Sequence, residues 1–129
     1  MKAFNKNLHL SLSAIAVLVV GITYGMYPST FLPLFFDFNV ETTDLNHVFR
    51  AMMGSYFALG FYWGYSTFFS SHWRAATYSV VFFMGGLAAG RLLSICIDGI
   101  PSLAFTVGTV LETLFVIWGI YNLKAYPEN

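Results

Sequence analysis

The fold class of this chain is decided by residues 103–123, LAFTVGTVLETLFVIWGIYNL. Twenty-one residues with one charge are enough to cross a bilayer as a single helix, because a crossing needs about 20 residues. The one charge is Glu112, near the middle of the stretch. A carboxylate at that depth is costly and marks a candidate functional site. The stretch therefore predicts a membrane-spanning helix that carries a polar site.

The composition of the whole chain agrees with this prediction. Of its 129 residues, 57% are hydrophobic and only 9% are charged, whereas a soluble domain carries about 25% charged residues. The chain has room for four spans with short connections. Its net charge of zero argues against nucleic acid as a partner. We predict an all-α integral membrane protein in which residues 1–129 form one four-helix transmembrane domain.

Apolar runs and their breakers place the four predicted spans, approximately residues 8–26, 44–69, 73–97 and 101–124. The first span resembles a signal peptide, but its small-x-small site, Ala14-Ile15-Ala16, falls inside the apolar run, so we interpret it as a retained span. Polar residues 41–44 open the second span. Gly99 suits a left-handed turn after the third, and Pro101 suits the first turn of the fourth.

Charged residues predict the orientation of these spans. One side carries Lys2, Lys6, His72, Arg74 and Lys124, and the other carries only acids, Asp37, Glu41, Asp44 and Asp98. The positive-inside rule then places both termini, and a predicted turn at residues 70–72, in the cytoplasm. The connection at residues 27–43 is largely apolar, and we expect either an anchor at the outer interface or a lid folded over the bundle.

Three charges lie within the apolar segments. Arg50 and Arg91 lie about six residues, or roughly 9 Å, from the outer ends of their spans, and Glu112 lies about 16 Å deep. Their helix faces also carry small or polar residues, among them Asn46, His47 and Gly54 beside Arg50, Ser94 and Asp98 beside Arg91, and Gly108 and Thr109 beside Glu112. Such faces are typical of helix contacts rather than lipid contacts. We therefore predict an Arg50–Arg91–Glu112 cluster inside the outer half of the bundle.

Other sequence features predict packing rather than chemistry. Three glycine pairs one turn apart, Gly21/Gly25, Gly60/Gly64 and Gly86/Gly90, favour close helix contacts. The histidines, His9, His47 and His72, lie in different segments without the spacing of a metal or haem site. The sequence thus predicts neither a metal nor a cofactor.

Two blocks of sequence resemble a known family. The first is NHVFRAMMGSY, residues 46–56, and the second is GGLAAGRLLS, residues 85–94, followed by DGIPS at 98–102 and by Glu112. Together they resemble the bacterial four-helix membrane proteins grouped as domain-of-unknown-function family 4345, over nearly the whole chain. The resemblance implies the bacterial inner membrane and marks Arg50, Arg91, Asp98 and Glu112 as polar positions of the pattern. It implies no established activity.

Three functions remain open from the sequence. The leading hypothesis is a non-catalytic protein that binds or transports a small anionic or amphipathic ligand, with a site formed by Arg50, Arg91 and Glu112 and rimmed by Asp98, His47, Asn46 and Ser94. The second is an accessory or assembly subunit of a larger membrane complex. The third is an intramembrane enzyme that uses Asp98 or Glu112 for proton transfer. Membrane lipid, a second copy of the chain or a partner membrane protein are the expected partners.

Overall fold

The computed structural model describes residues 2–127, with side chains from residue 5 onward. The described chain contains five helices and no strand: α1 (Lys2–Gly25), α2 (Pro28–Phe35), α3 (Thr43–Phe68), α4 (Ser70–Asp98) and α5 (Leu103–Ala125). The all-α prediction is confirmed. Residues 1 and 128–129 of the predicted single domain lie outside this description.

Three of the helices are long and apolar enough to cross a membrane. They are Asn5–Gly25 within α1, Ser70–Asp98, and Leu103–Ala125. The remaining predicted span, residues 44–69, corresponds to α3, which has 26 residues but a lower mean hydropathy and is not among the three candidates. The protein therefore has the composition of a membrane protein with three candidate spans. Whether α3 is a further span has to be argued from its packing.

The helix ends follow the local chemistry of the chain. The Thr42 hydroxyl accepts a hydrogen bond from the Leu45 amide at 3.1 Å and caps α3. Gly99, after α4, has a φ of 99°, in the left-handed region that glycine adopts easily. Two predicted details are wrong. Residues 70–72 form the first turn of α4, so that only Phe69 separates α3 from α4, and α5 begins at Leu103 rather than at Pro101.

Helix α1 packs closely along α3, and glycines allow the approach. A Cβ added at Gly25 would collide with Met53, and one added at Gly60 would lie 2.7 Å from the Leu18 side chain. Gly21 faces Phe57 in the same interface. By contrast, Gly86 and Gly90 on α4 are exposed and have no described atom within 4 Å of an added Cβ. Of the three glycine pairs, Gly21/Gly25 thus lies wholly within a helix interface.

The two ends of the bundle differ in charge and in covering. At the basic end, which carries Lys6, Arg74 and Lys124, Trp73 donates a hydrogen bond to the Lys6 carbonyl and Arg74 donates to the Leu123 carbonyl. At the acidic end, which carries Asp37, Glu41 and Asp98, the α1–α3 connection folds back over the helices.

The covering of the acidic end is aromatic. Phe36 lies 4.2 Å from Phe105 of α5 between ring centroids, and Phe38 stacks on Phe49 of α3 at 5.8 Å. Within this connection, Leu32 is fully buried, whereas Leu34 is 72% exposed. The connection therefore covers the bundle with one face and presents an apolar face outward.

Candidate functional site

The central feature of the site is an ion pair between α4 and α5. Arg91 Nε donates hydrogen bonds to Glu112 Oε1 at 3.2 Å and Oε2 at 3.0 Å. The two side chains are only 20% and 11% exposed. Arg91 lies seven residues before the end of α4 and Glu112 nine residues after the start of α5, so the pair lies about 10–14 Å from the acidic end of these helices. The predicted pairing of these two charges is thus present in the structure.

The guanidinium of Arg91 has further neighbours from α1 and α5. Its Cζ atom lies 5.0 Å from the centroid of the Phe105 ring, a favourable cation–π arrangement. Tyr24 of α1 lines the same cavity as this guanidinium. On the Glu112 side, Thr109 is buried and its hydroxyl donates to the Phe105 carbonyl, so it leaves the carboxylate to Arg91. The ion pair is therefore held on a fixed surface of three helices.

Two small cavities adjoin the ion pair. The first, of about 130 Å³, lies toward the acidic end and is lined by Thr23, Tyr24, Phe36, Arg91, Ala104 and Phe105. The second, of about 100 Å³, lies toward the middle of the bundle and is lined mainly by apolar residues, including Val17, Met84, Leu111 and Phe115. Val20, Gly108 and Glu112 line both. We call the two cavities together the α1–α5 cleft.

The cleft exists because α1 and α5 meet at only one end of their length. Nearer the basic end, His9 Nε2 donates a hydrogen bond to the Phe115 carbonyl at 2.9 Å. A Cβ on Gly119 would lie 3.1 Å from the same imidazole ring. Toward the acidic end, a Cβ on Gly108 would meet no described atom within 4 Å. The two helices therefore diverge from His9 outward and leave a wedge that contains Glu112.

The structure does not bring Arg50 to this pair. Arg50 is exposed on α3 and lines a separate surface groove with Thr43, Asn46, His47 and Ala51. Within the described residues, no acidic side chain lies within salt-bridge distance of Arg50. Asn46 donates to the Thr42 carbonyl at 3.0 Å, a bond within the first turn of the helix. The predicted three-charge cluster is therefore a two-charge pair with a third charge elsewhere.

Ser94 and Asp98 form another separate group at the end of α4. The Ser94 hydroxyl donates to Asp98 Oδ2 at 2.8 Å, and both residues are exposed. Neither residue lines the cleft. Asp98 is therefore not a second acid beside Glu112, and the geometry does not favour the hypothesis of proton transfer between paired acids.

Sequence reasoning missed a second buried polar group, around His9. His9 is fully buried between α1 and α5, and Ser13 and Asn122 are buried at 0% and 2% exposure. The Nδ1 atom of His9 and the Nδ2 atom of Asn122 are buried without a partner among the described residues. The available signal was the pair His9 and Ser13, which lie one turn apart in a largely apolar span.

These observations define the class of the protein: a small helical membrane protein with a partly buried ion pair beside a cleft between two of its spans. A comparison with family models matches residues 6–123 to a domain of unknown function, DUF4345, and the chain belongs to this family. The resemblance noted in the sequence is thereby confirmed. No match was found among curated proteins or among solved structures.

Proposed function

We propose that the protein is a four-span membrane protein that binds a small anionic or amphipathic ligand at Arg91 in the α1–α5 cleft. The observation that carries this proposal is the position of the ion pair. An intramembrane ion pair that served packing alone would be enclosed by side chains, whereas here Glu112 lines two cavities and Arg91 lines one of them.

The packing of α3 supports a fourth span. At 26 residues α3 is about 39 Å long, enough to cross a bilayer. It lies against α1 through Gly21, Gly25 and Gly60, and the single residue Phe69 joins it to α4. Since both neighbours are candidate spans, α3 would lie at the same depth as they do. Four spans place both termini on one side, and the basic end, with Lys6, Arg74 and Lys124, fits the cytoplasmic side of a bacterial inner membrane.

The chemistry of Arg91 suits an anion. Both hydrogen bonds to Glu112 come from Nε, so this carboxylate does not engage the N–H groups of the two terminal nitrogens. Those nitrogens form the planar fork that matches a carboxylate or a phosphate. Glu112 holds the guanidinium in place, and the Phe105 ring lies against it. Arg91 is thus oriented by the protein before any ligand arrives.

Native mass spectrometry of the protein released from its own membranes tests this proposal. We expect a stoichiometric small molecule or lipid on the wild-type protein and its loss in an Arg91→Met/Glu112→Met double variant, which leaves no unpaired charge in the bundle. Arg50→Ala is the matched control, because Arg50 is an intramembrane arginine outside the cleft. Retention of the bound molecule in the double variant would overturn the proposal, as would its absence from the wild type.

A second candidate function is that of a subunit in a larger membrane assembly. Arg50 lies exposed on α3 close to His47, and the Gly86/Gly90 face of α4 is also open. Exposed charges and small residues on intramembrane helices suit contact with another protein rather than with lipid. Loss of a co-purifying polypeptide in Arg50→Ala, with no bound small molecule on the wild type, would favour this candidate over ligand binding.

A further inference from the structure

We infer that the ligand of the α1–α5 cleft is a single-chain amphipath with one anionic head group, which enters sideways from the bilayer between α1 and α5. This inference rests on the proposed function, because it names the class of molecule for the same site. It follows from the polarity, the direction, the opening and the size of the cleft.

The two cavities of the cleft, one on each side of Glu112, differ in polarity. The cavity nearer the acidic end contains Arg91 together with the hydroxyl-bearing side chains Thr23 and Tyr24. The cavity on the other side of Glu112 is walled by aliphatic and aromatic groups such as Val17, Leu111 and Phe115. A ligand that fills both must carry a polar, negatively charged end and an apolar end. A fully polar anion would leave the second cavity unfilled.

The direction of this division matches the direction of a membrane lipid. The Arg91 cavity lies nearer the membrane surface, since Arg91 is about 10 Å from the end of α4. The apolar cavity extends from Glu112 toward Phe115, deeper in the bundle. An amphipath of that leaflet already has its head at the surface and its chain toward the midplane. It can therefore enter the cleft without turning over.

The opening of the cleft faces the lipid rather than water. Val20 of α1 and Leu111 of α5 both line the cleft, and they are 37% and 50% exposed. The next exposed residues on each side are also apolar, Val19 on α1 and Val107 on α5. At the acidic end, Phe36 and Phe105 are in contact and both line the cleft, so their rings lie between it and the aqueous phase. The accessible route is the seam between α1 and α5.

The size of the cleft limits what it encloses. Its cavities of about 100 and 130 Å³ are small beside the roughly 300–1,000 Å³ of pockets that surround a whole drug-sized ligand. The α1–α5 cleft also ends at His9, which donates a hydrogen bond to the Phe115 carbonyl. The cleft therefore holds the head group and the first methylenes, and the rest of the chain remains in the lipid.

Binding measurements on the full-length protein in nanodiscs of zwitterionic lipid test this inference. The probes are decanoate, acetate and decyltrimethylammonium, which separate the contribution of the chain from that of the charge. The plug variant is Gly108→Leu, because Gly108 lines both cavities and its added Cβ meets no described atom within 4 Å. Gly86→Leu is the matched control, on an open glycine of α4 that does not line the cleft.

We expect decanoate to bind the wild type and Gly86→Leu with equal affinity. Its affinity for Gly108→Leu and for Arg91→Met/Glu112→Met should be at least tenfold lower. Acetate should bind at least tenfold more weakly than decanoate, since each buried methylene contributes a factor of about four. Equal binding of decyltrimethylammonium would overturn the inference. Acetate binding that depends on Arg91 and equals that of decanoate would overturn it while leaving the proposed function intact. If neither anion bound, both would fail.

Discussion

Helix α1 meets its two long neighbours in different ways. Against α3 it is in contact along the bundle through Gly21, Gly25 and Gly60. A Cβ added at Gly25 or Gly60 would collide, and one at Gly21 would be tightly packed. Against α5 it is close only near His9 and Gly119, and beyond them the two helices separate. The α1–α3 interface is close because glycines without side chains lie in it. The α1–α5 interface is open at the level of Arg91 and Glu112, which join α4 to α5.

The difference shows how a helical membrane protein can keep an open site without losing its fold. In lipid, close contact between helices depends on small residues and on packing rather than on a hydrophobic driving force. The α1–α3 interface supplies that contact over a long distance, so the α1–α5 seam is free to diverge. The α1–α3 interface then stabilises the fold, and the α1–α5 interface contains the candidate site. Substitutions can test the two interfaces separately.

The largest effect is expected at the open end of the seam, from Arg91→Ala. This change leaves the Glu112 carboxylate without its cation at 11% exposure, and breaking such a pair costs about 3–5 kcal/mol of unfolding free energy. Denaturant titration in mixed micelles measures the loss. Arg50→Ala should change the same quantity by no more than about 0.5 kcal/mol, because Arg50 is exposed and has no acidic partner among the described residues. Equal losses in the two variants would contradict the comparison.

A smaller effect is expected at the closed end, from Gly119→Ala. The new Cβ would lie 2.7 Å from Val81 Cγ2 and 3.1 Å from the His9 ring, and such overpacking costs about 1–3 kcal/mol. Gly108→Ala on the same helix has open space and should gain up to about 1 kcal/mol from the better helix propensity of alanine. The unfolding free energies of the two variants, measured side by side, should differ in sign. The same sign for both would mean that α5 does not pack against α1 and α4 at Gly119 as the structure places it.

The smallest effect is expected from His9→Phe. The substitution removes one hydrogen bond to the Phe115 carbonyl, worth about 1 kcal/mol, but it also removes the buried Nδ1 atom that has no partner among the described residues. We therefore expect a loss of less than about 1 kcal/mol in the same titration. His47→Phe, on the exposed face of α3, is the control for adding an aromatic ring. A loss above about 3 kcal/mol would show that the imidazole itself holds the seam together.

The pairing of Arg91 with Glu112 could be predicted because α4 ends and α5 begins at the same end of the bundle. The depths of the two residues are therefore counted from neighbouring helix ends. Depth and the small or polar residues on its helix face suggested Arg50 as well, but Arg50 lies outside the buried face of α3. The buried face of α3 includes Tyr56, Gly60 and Trp63, whereas Arg50 directly follows the partly buried Phe49 and is turned about 100° away from it. Small and polar neighbours such as Gly54 indicated an inward face, but Gly54 is exposed.

The long helices were largely predictable from the sequence, and the connection between α3 and α4 was not. The apolar runs indicated the bounds of the four long helices to within three residues, except that α1 begins at Lys2, six residues before the predicted start. The left-handed Gly99 was recognisable from its type. Hydropathy could not indicate that Phe69 alone joins α3 to α4, because Ser70, Ser71 and His72 have the polarity of a turn while their backbone is helical. The role of His9 depends on a contact 106 residues away in the chain, which no local pattern contains.

The single-residue connection at Phe69 has a consequence for how the protein enters the membrane. Helix α3 is the least apolar of the four long helices, and alone it would partition weakly into lipid. Because one residue joins it to the strongly apolar α4, we expect the two to insert together as a helical hairpin. On the proposed topology, the partition energy of α4 then carries Arg50 and its polar neighbours into the bilayer. Lengthening the connection at Phe69 would uncouple the two helices during biogenesis while leaving the cleft residues unchanged.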